Sequence, residues 1–468
     1  MSTEPQGSSS QPLVLIAGAG IGGLMLGTLL ERIGIPFVIF ERASKVKPLG
    51  SAMNLKVNIL PVFEQLGLYD ELMEISYPIP ALSLFNHDMS KMGEVSFEGQ
   101  QEVAGYPSVI FKRPKLYELL YKQVPASKIL LGKKILRVTE DSDKVTIHCS
   151  DNTQYEGDIL VGADGAYSSV RQNLYKHLDE KGLLPRSDKD DFAVGYTCMV
   201  GVTKPQDPEK YPHLKDEFVH FQTVLGDRGL SWGVANVPNN EITWTLIDQF
   251  GSQDESKAQL FRNSEWGPEA NSAMLKEFYD FPCPYGGKMG DMFDATPSEL
   301  ISKVYLEEKL FETWYHGRVV LLGDAAHKML PGAGQGAINA MQDAVILSNC
   351  LYDLPDASSK SITAAFKDYF EQRYEQAKLR IEQSRSTTKV MAGKTLTDKL
   401  LRTFMLNYMP KRIQSMSFAK TSAYRPQIAW LPQVKARGTG PVLPQKPSRR
   451  YAEEHRRNPC LKKYRDHP

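Results

Sequence analysis

Val319-Val320-Leu321-Leu322-Gly323-Asp324-Ala325-Ala326-His327-Lys328-Met329-Leu330-Pro331-Gly332-Ala333-Gly334-Gln335-Gly336-Ala337 is the stretch whose reading decides the fold. Its β-branched and leucine run reads as a buried strand, and the strand ends in Gly-Asp, where a carboxylate can meet sugar or ribityl hydroxyls. The loop after it is rich in glycine. Gly332, Gly334 and Gly336 permit close backbone approach to a flat ligand. A helix that begins near Gly336 offers unpaired N–H groups to an electron-rich carbonyl edge or a phosphate. A flavin has both.

A second signature near the N-terminus carries the same meaning. Leu13 to Ala17 reads as a buried strand, followed by Gly18-Ala19-Gly20-Ile21-Gly22-Gly23 and a helical pattern through Leu24, Leu26, Leu29, Leu30 and Ile33. This is Gly-x-Gly-x-x-Gly between a strand and a helix, the context in which it signals a dinucleotide. Gly18 permits the tight turn, Gly20 lets the backbone reach a pyrophosphate, and Gly23 lets helix and strand pack closely. A second strand, Phe37 to Phe40, ends at Glu41-Arg42, about 20 residues on, where an acid binds ribose hydroxyls. An acid there disfavours a 2′-phosphate, so this half is expected to hold FAD or NAD, with Arg42 counted beside Glu41 as cofactor-binding.

Further elements fill the chain between these motifs. Gly50-Ser51-Ala52-Met53-Asn54-Leu55 has the small residues of a loop against a ligand edge, with Ala52 as the candidate contact, although loop packing explains them equally well. Val57 to Leu66 is amphipathic, with Pro61 starting or kinking a helix. Val109 to Lys112 is a strand running into a helix with Pro114 in its first turn, which sets Arg113 where a guanidinium can reach a phosphate or ring face, although a surface cation is the commoner role of an isolated arginine. Ile129 to Val138 and Val145 to His148 read as paired strands. Asp158 to Arg171 repeats the strand, Gly-Asp-Gly turn and helix start, making Asp164 a second candidate acid. From about Tyr175 to Leu310 the pattern changes to alternating strands broken by Gly, Pro and Asn. In that sheet Trp232, Trp244, Phe218, Phe221 and Tyr196 are candidates for a pocket wall, with simple core packing the commoner role of such aromatics.

The expected fold is mixed α/β: a Rossmann-type FAD-binding domain, an inserted antiparallel-sheet substrate domain and C-terminal helices. Its expected boundaries are a flexible lead at 1–11, the first part of the FAD-binding domain at 12–174 and the substrate domain at 175–310. The second part of the FAD-binding domain follows at 311–390, then a helical segment at 391–434 and a basic, Pro-rich, poorly ordered tail at 435–468. With 468 residues, 41% of them hydrophobic, a large core is available, and a net charge of +1 gives no global argument for nucleic acid or an anionic membrane as a partner. Cys149, Cys198, Cys283, Cys350 and Cys460 form no Cys-x-x-Cys pair or His cluster, so neither zinc nor a disulfide framework is expected, and a reducing, cytoplasmic setting fits. No signal-peptide pattern precedes the first strand, and no apolar run reaches the ~20 residues of a membrane span. Leu400 to Met409 is read as a packed or interfacial helix, leaving peripheral membrane contact open.

Three motifs in this order make the chain resemble the group A FAD-dependent monooxygenases, the family of p-hydroxybenzoate hydroxylase, salicylate hydroxylase and zeaxanthin epoxidase. The texture, including Trp314-Tyr315-His316-Gly317-Arg318 before the Gly-Asp strand, is similar to fungal flavin monooxygenases of terpenoid and indole-diterpenoid pathways. The resemblance implies that Gly18, Gly20 and Gly23 hold the FAD pyrophosphate, Glu41 the adenosine ribose, and that Arg113 touches the cofactor. It implies that Asp164 serves FAD and NAD(P)H, that Asp324 lies by the ribityl chain and pyrophosphate, and that Pro331, Gly334, Gln335, Gly336 and Ala337 lie beside the isoalloxazine. It also implies the chemistry: NADPH or NADH reduces FAD, and a flavin hydroperoxide then hydroxylates or epoxidises an apolar, aromatic or polyprenyl-type small molecule with oxygen. No catalytic side chain and no metal are required, and His327 reads as a structural hydrogen-bonding residue before a proton relay. One departure is that the basic tail lacks the hydrophobic membrane segment with which several fungal relatives end. A flavin halogenase or prenyl reductase of the same fold is the nearest alternative, although Ser231 to Pro238 lacks the first Trp of the halogenase motif. A plain NAD dehydrogenase leaves the Gly-Asp and Gly-x-Gly-Gln-Gly run unexplained, and a non-catalytic flavin-binding protein is the remaining reading.

Overall fold

Val14–Ala17, the first strand, is fully buried because its four apolar residues sit in the middle of a six-stranded sheet. Phe37–Glu41 and Ile159–Gly162 flank it in parallel, with Val14 opposite both Phe37 and Ile159. Val319–Leu321 joins Ile159–Gly162 in parallel, Ile129–Leu131 closes the other side, and Tyr315–His316 adds an antiparallel edge. Both glycine motifs therefore leave the C-terminal ends of parallel strands, Val14–Ala17 and Val319–Leu321, that stand on either side of Ile159–Gly162, the end at which ligands bind in open parallel sheets. The computed structural model describes residues 11–45, 51–226, 229–249, 268–331, 334–393 and 395–457. The expectations for Gly50 and Gly332 lie outside the described residues.

Two helices cover this sheet and carry its core. Ile21–Ile33 and Gly336–Tyr352 each begin at a glycine loop and are buried along most of their length. A methyl group on Gly22 would come within 2.7 Å of Leu322 Cδ1 and 3.4 Å of Ala340 Cβ, so the two helices approach closely over the Gly-Asp strand. The largest hydrophobic cluster, from Val14 through Leu24, Leu160 and Leu321 to Phe366, lies here.

A second sheet has eight strands in the order His327–Lys328, Ser302–Leu310, Ala193–Val202, Glu241–Gln249, Leu230–Val237, His220–Leu225, Ala81–Asn86 and Lys91–Ser96. Its pairings are antiparallel except for His220–Leu225 with Ala81–Asn86. The period-2 alternation splits its faces. Met199, Trp244 and Leu246 pack with Phe278, Met289 and Phe293 in a separate core, while Tyr196, Cys198, Val200, Thr245 and Ile247 face a cavity. His327–Lys328 pairs with Lys309 and Leu310, so the loop after Gly323-Asp324 is also an edge of this sheet and joins the two layers.

Several expectations need correction. Ile129 to Val138 is two strands: Ile129–Leu131 belongs to the parallel sheet and Ile135–Glu140 pairs with Val145–Cys149, because Gly132 turns the chain at φ +73°. Residues 81–96, read as part of the first FAD-binding segment, lie in the eight-stranded sheet. The helix Ser169–Glu180 runs across the expected boundary at 174, and Ser359–Ala392 runs past 390. Residues 435–457 are not a loose tail. Arg437 pairs with Glu64 and lies 5.1 Å from the Tyr106 ring, Lys446 pairs with Asp368 at 2.7 Å, and Ser448 Oγ donates to Asp353 at 2.6 Å. Two of the cations that made this segment read as solvated, Arg437 and Lys446, are bound to acids of the body, Arg450 pairs with Glu454 inside the segment, and Arg449–Arg457 is helical. Among the described residues no helix is long and apolar enough to cross a membrane.

Candidate active site

Gly18 leaves the first strand at φ +98°, and a Cβ there would stand 2.5 Å from the Ala163 carbonyl oxygen, so only glycine makes this turn. At Gly23 a Cβ would stand 2.0 Å from the Gly18 carbonyl oxygen, which is the close helix–strand approach expected of the third glycine. Gly20 is different. Its backbone is extended, with φ −75° and ψ −178°, and a methyl group on it would meet nothing within 4 Å, because the residue faces open space. The helix after it has no side-chain cap, so its first N–H groups are offered to that space.

Glu41, at the end of the second strand, braces this loop: Oε2 accepts from Ala19 N and Oε1 from Ala43 N, both at 2.9 Å. The carboxylate oxygens keep further lone pairs for ribose hydroxyls. Arg42 is exposed and outside the cavity wall.

The space in front of Gly20 belongs to a cavity of about 2600 Å³ that continues past both Gly-Asp loops to the face of the eight-stranded sheet. Ala52, in the strand Ala52–Leu55 opposite Lys112, lies on its wall. Beside it the Ser51 hydroxyl is buried without a hydrogen-bond partner. Arg113 reaches the same wall: its side chain is accessible from the cavity but enclosed by protein, so desolvation lowers its pKa while Asp324 and Tyr117 oppose that shift. Asp324 lies on the wall, partly buried, with Oδ2 accepting from Lys328 Nζ at 2.6 Å. Pro331, Gly334, Gln335, Gly336 and Ala337 line the cavity together, and Gly334 adopts φ +60° with a Cβ position 2.4 Å from Asn54 Oδ1. The helix Gly336–Tyr352 again has no side-chain cap.

Asp164 behaves otherwise than its sister acid. Its Oδ2 accepts from Ser169 N at 2.7 Å, Ser169 Oγ at 3.0 Å and Val170 N at 3.2 Å, capping the helix that follows, while Oδ1 is buried without a partner. Ala163 and Gly165, the latter at φ +81°, are the residues on either side of Asp164 that line the cavity wall.

The residues present fit FAD. The open cradle at Gly20 would be filled by a pyrophosphate, two uncapped helix starts face one elongated cavity, and the orphaned Ser51 hydroxyl lies on its wall. Among the described residues no His, Cys, Asp and Glu cluster could hold a metal.

Sequence reasoning missed the polar core behind this wall. Asp343, fully buried, accepts from Gly323 N at 2.8 Å and Arg373 Nε at 2.7 Å, and lies 2.6 Å from His327 Nε2. Burial alone would raise the Asp343 carboxyl, but His327 and Arg373 hold it below its ordinary value. His327 is thus a structural residue under the Gly-Asp loop and lies off the cavity wall. Arg171 stands at the end of the second Gly-Asp motif. It donates to Ala166 O at 2.6 Å and Ala325 O at 3.0 Å, tying the two Gly-Asp loops together. Trp244 proves to be core, with its indole N–H on Thr296 Oγ1. Trp232 touches the cavity but packs on Phe281 and donates to the Pro282 carbonyl. Phe218 is off the wall, whereas Phe221 and Tyr196 are on it.

Comparison with known proteins agrees with this geometry. The sequence model of the family described as "FAD binding domain" matches residues 12–185 and 288–383. The chain is 28% identical over 448 residues to the FAD-dependent monooxygenase ausM of Penicillium brasilianum, covering 91% of this chain and 88% of the relative. It is 31% identical over 356 residues to the FAD-dependent monooxygenase penM of Penicillium crustosum, covering 75% and 72%. Among solved structures, Klebsiella pneumoniae HpxO complexed with FAD and uric acid superposes with a TM-score of 0.68 at 23% identity, covering 88% of this chain and 97% of that one. A salicylate hydroxylase substrate complex superposes with a TM-score of 0.60 at 20% identity, covering 89% and 99%.

Proposed function

Because the chain belongs to the FAD-binding-domain family and is an FAD-dependent monooxygenase, we propose that it uses NADPH or NADH and oxygen to hydroxylate or epoxidise an apolar, ring-containing or polyprenyl-type small molecule. The observation that carries this reading is the continuity of one cavity from the open cradle at Gly20 to the sheet face bearing Tyr196, Val200, Phe221 and Ile247. Bound FAD supplies the redox chemistry, taking two electrons from the nicotinamide and passing one oxygen atom to the substrate while the other leaves as water.

The chain's own residues bind, orient and exclude water. In this reading Gly18, Gly20 and Gly23 shape the pyrophosphate cradle, Glu41 takes the adenosine ribose, and Asp324 takes the ribityl hydroxyls. Arg113 contacts the cofactor, and the loop Pro331, Gly334, Gln335, Gly336 and Ala337 lies along the ring. The unpaired N–H groups at the start of Gly336–Tyr352 stabilise negative charge on its carbonyl edge. Asp164 acts through its turn: by capping Ser169–Glu180 it holds Gly165 against the cofactor. The apolar sheet face keeps water from the reacting atoms.

Peripheral membrane contact belongs to the same reading, from a reducing, cytoplasmic setting that the four buried free cysteines Cys149, Cys198, Cys283 and Cys350 suit. The helix Leu396–Asn407 exposes Leu396 (79%), Leu400 (72%) and Phe404 (47%) at helical spacing, followed by Tyr408 (71%). Lys399 lies in the same helix and Lys411, Arg412 and Lys420 in the next one, with Lys411 paired to Glu98 and Asp398 the one acid between 396 and 420. A cation-rich apolar stripe suits an anionic lipid surface, and Arg402 and Met405 of the same helix line the cavity. A substrate dissolved in the bilayer would enter from there.

The test is isotopic. The FAD-loaded enzyme is incubated with NADPH or NADH, a panel of apolar ring and polyprenyl compounds, and heavy-isotope oxygen. A product carrying one labelled oxygen atom is expected. Chlorination in the presence of halide, saturation of a prenyl double bond, or no product with any member of the panel would count against the reading.

A further inference from the structure

Away from the glycine loops the cavity wall carries two neighbouring cations. Lys56 follows the strand Ala52–Leu55, and Arg380, 3% exposed, comes from the long helix Ser359–Ala392; both line the cavity. One carbonyl holds them near each other. Thr421 O accepts from Arg380 Nη2 at 2.7 Å and from Asn58 Nδ2 at 3.1 Å, two residues beyond Lys56. The Asn58 carbonyl accepts in turn from Gln342 Nε2 at 2.9 Å, anchoring this segment to the helix that starts at the flavin loop.

Among the described residues neither cation has a carboxylate partner. The Arg380 side chain bonds to Gln383 Oε1 at 3.0 Å and to the Thr421 carbonyl, while the Lys56 ammonium makes no hydrogen bond or ion pair. The nearby buried acid, Asp343, is already taken by Arg373 and His327. Burial, with repulsion from Arg380, lowers the Lys56 pKa to about 8. Burial, with repulsion from Arg373, lowers that of Arg380 to about 10. The Thr388 hydroxyl and Arg402 Nε, from other residues of the same wall, are buried without partners. Uncompensated cations withdrawn from water cost stability, and an anionic oxygen in the cavity would offset that cost.

We propose that Lys56 and Arg380 form an anion-binding subsite that takes an acidic oxygen of the substrate, a carboxylate, enolate or phenolate, while its apolar body lies against the sheet face. This rests on the reading of the cavity as the substrate's site, and it narrows the substrate from apolar to apolar with one ionisable oxygen. An enolate or phenolate is also electron-rich at carbon, which is what an electrophilic oxygen atom attacks.

The experiment uses the FAD-loaded protein without reductant and a pair of probes of one shape, 2-naphthoate and 2-naphthamide, followed by the change in flavin absorbance. Charge-assisted hydrogen bonds predict about tenfold to hundredfold tighter binding of the acid. Lys56→Met should abolish that preference, Lys56→Arg should keep it, and the cofactor-free Lys56→Met protein should melt at a higher temperature than the parent. Equal binding of the two probes by the parent protein, or binding of neither, overturns the proposal and needs no variant. So does an unchanged acid preference in Lys56→Met. If that variant instead loses NADPH affinity or shifts the flavin reduction potential, the cations serve the dinucleotide phosphate or the reduced ring, and the proposal is likewise overturned. A flavin that no nicotinamide reduces would defeat the proposed reaction and leave this comparison standing.

Discussion

Glu41 Oε2 accepts a hydrogen bond from Ala19 N–H at 2.9 Å, so the acid read as a ribose ligand also braces the glycine loop from 22 residues away. Glu41→Ala should therefore lose FAD on two counts. We expect at least about tenfold weaker FAD binding, from the loss of charge-assisted hydrogen bonds. Glu41→Gln, which keeps one acceptor oxygen, should fall between. The ratio of flavin to protein absorbance after gel filtration measures both, and full occupancy in Glu41→Ala would refute the assigned role.

Gly20 and Gly23 separate cofactor sterics from folding. A Cβ at Gly20 meets no protein atom within 4 Å and needs no unusual backbone, whereas one at Gly23 would stand 2.0 Å from the Gly18 carbonyl oxygen. Gly20→Val should fold with near-parental circular dichroism yet purify colourless. Gly23→Ala should be destabilised by about 3 kcal/mol, read from urea unfolding. A yellow, active Gly20→Val protein would remove the pyrophosphate from this cradle.

The buried pair Asp343–Arg373 should govern stability under the Gly-Asp loop. Asp343→Asn leaves Arg373 with no charged partner and should cost about 3–5 kcal/mol. The folded pKa of Asp343 lies below its ordinary value. Its contribution is therefore present above the unfolded carboxylate pKa of about 3.9 and is lost as pH falls through the folded value. Urea unfolding from pH 7 downward should show the parent losing an acid-sensitive increment that Asp343→Asn lacks.

The exposed stripe on Leu396–Asn407 should bind lipid. Leu400→Asp with Phe404→Asp should abolish sedimentation with phosphatidylserine-containing vesicles and leave the melting temperature within about 2 °C, since both side chains face outward. Equal sedimentation of parent and variant, or none for the parent, would remove the membrane from the account.

Local chemistry made part of this molecule legible. The glycine loops, the strands before them and the helices after them are dictated by residues adjacent in sequence, and Gly18, Gly20, Gly23 and Pro331 to Ala337 are read from short motifs, whereas Arg113 is singled out only by the family resemblance. What stayed hidden depends on distant partners. The parallel pairing of Ala81–Asn86 with His220–Leu225 joins segments more than a hundred residues apart. Asp343 reads as an ordinary helix residue until Arg373 and His327 are brought to it. The basic segment 435–457 reads as solvated because Glu64, Asp353 and Asp368, which bind it, lie far back in the chain. Lys56 is one lysine in a loop until Thr421 draws it toward Arg380.

The visible spectrum of the purified protein, taken without oxygen before and after adding NADPH or NADH and again after admitting air, tests the central claim most directly. A flavin spectrum that bleaches with one nicotinamide and returns with oxygen is the predicted result, and it would name the electron donor. A bound flavin that neither nicotinamide bleaches, with or without apolar acids present, would contradict the account.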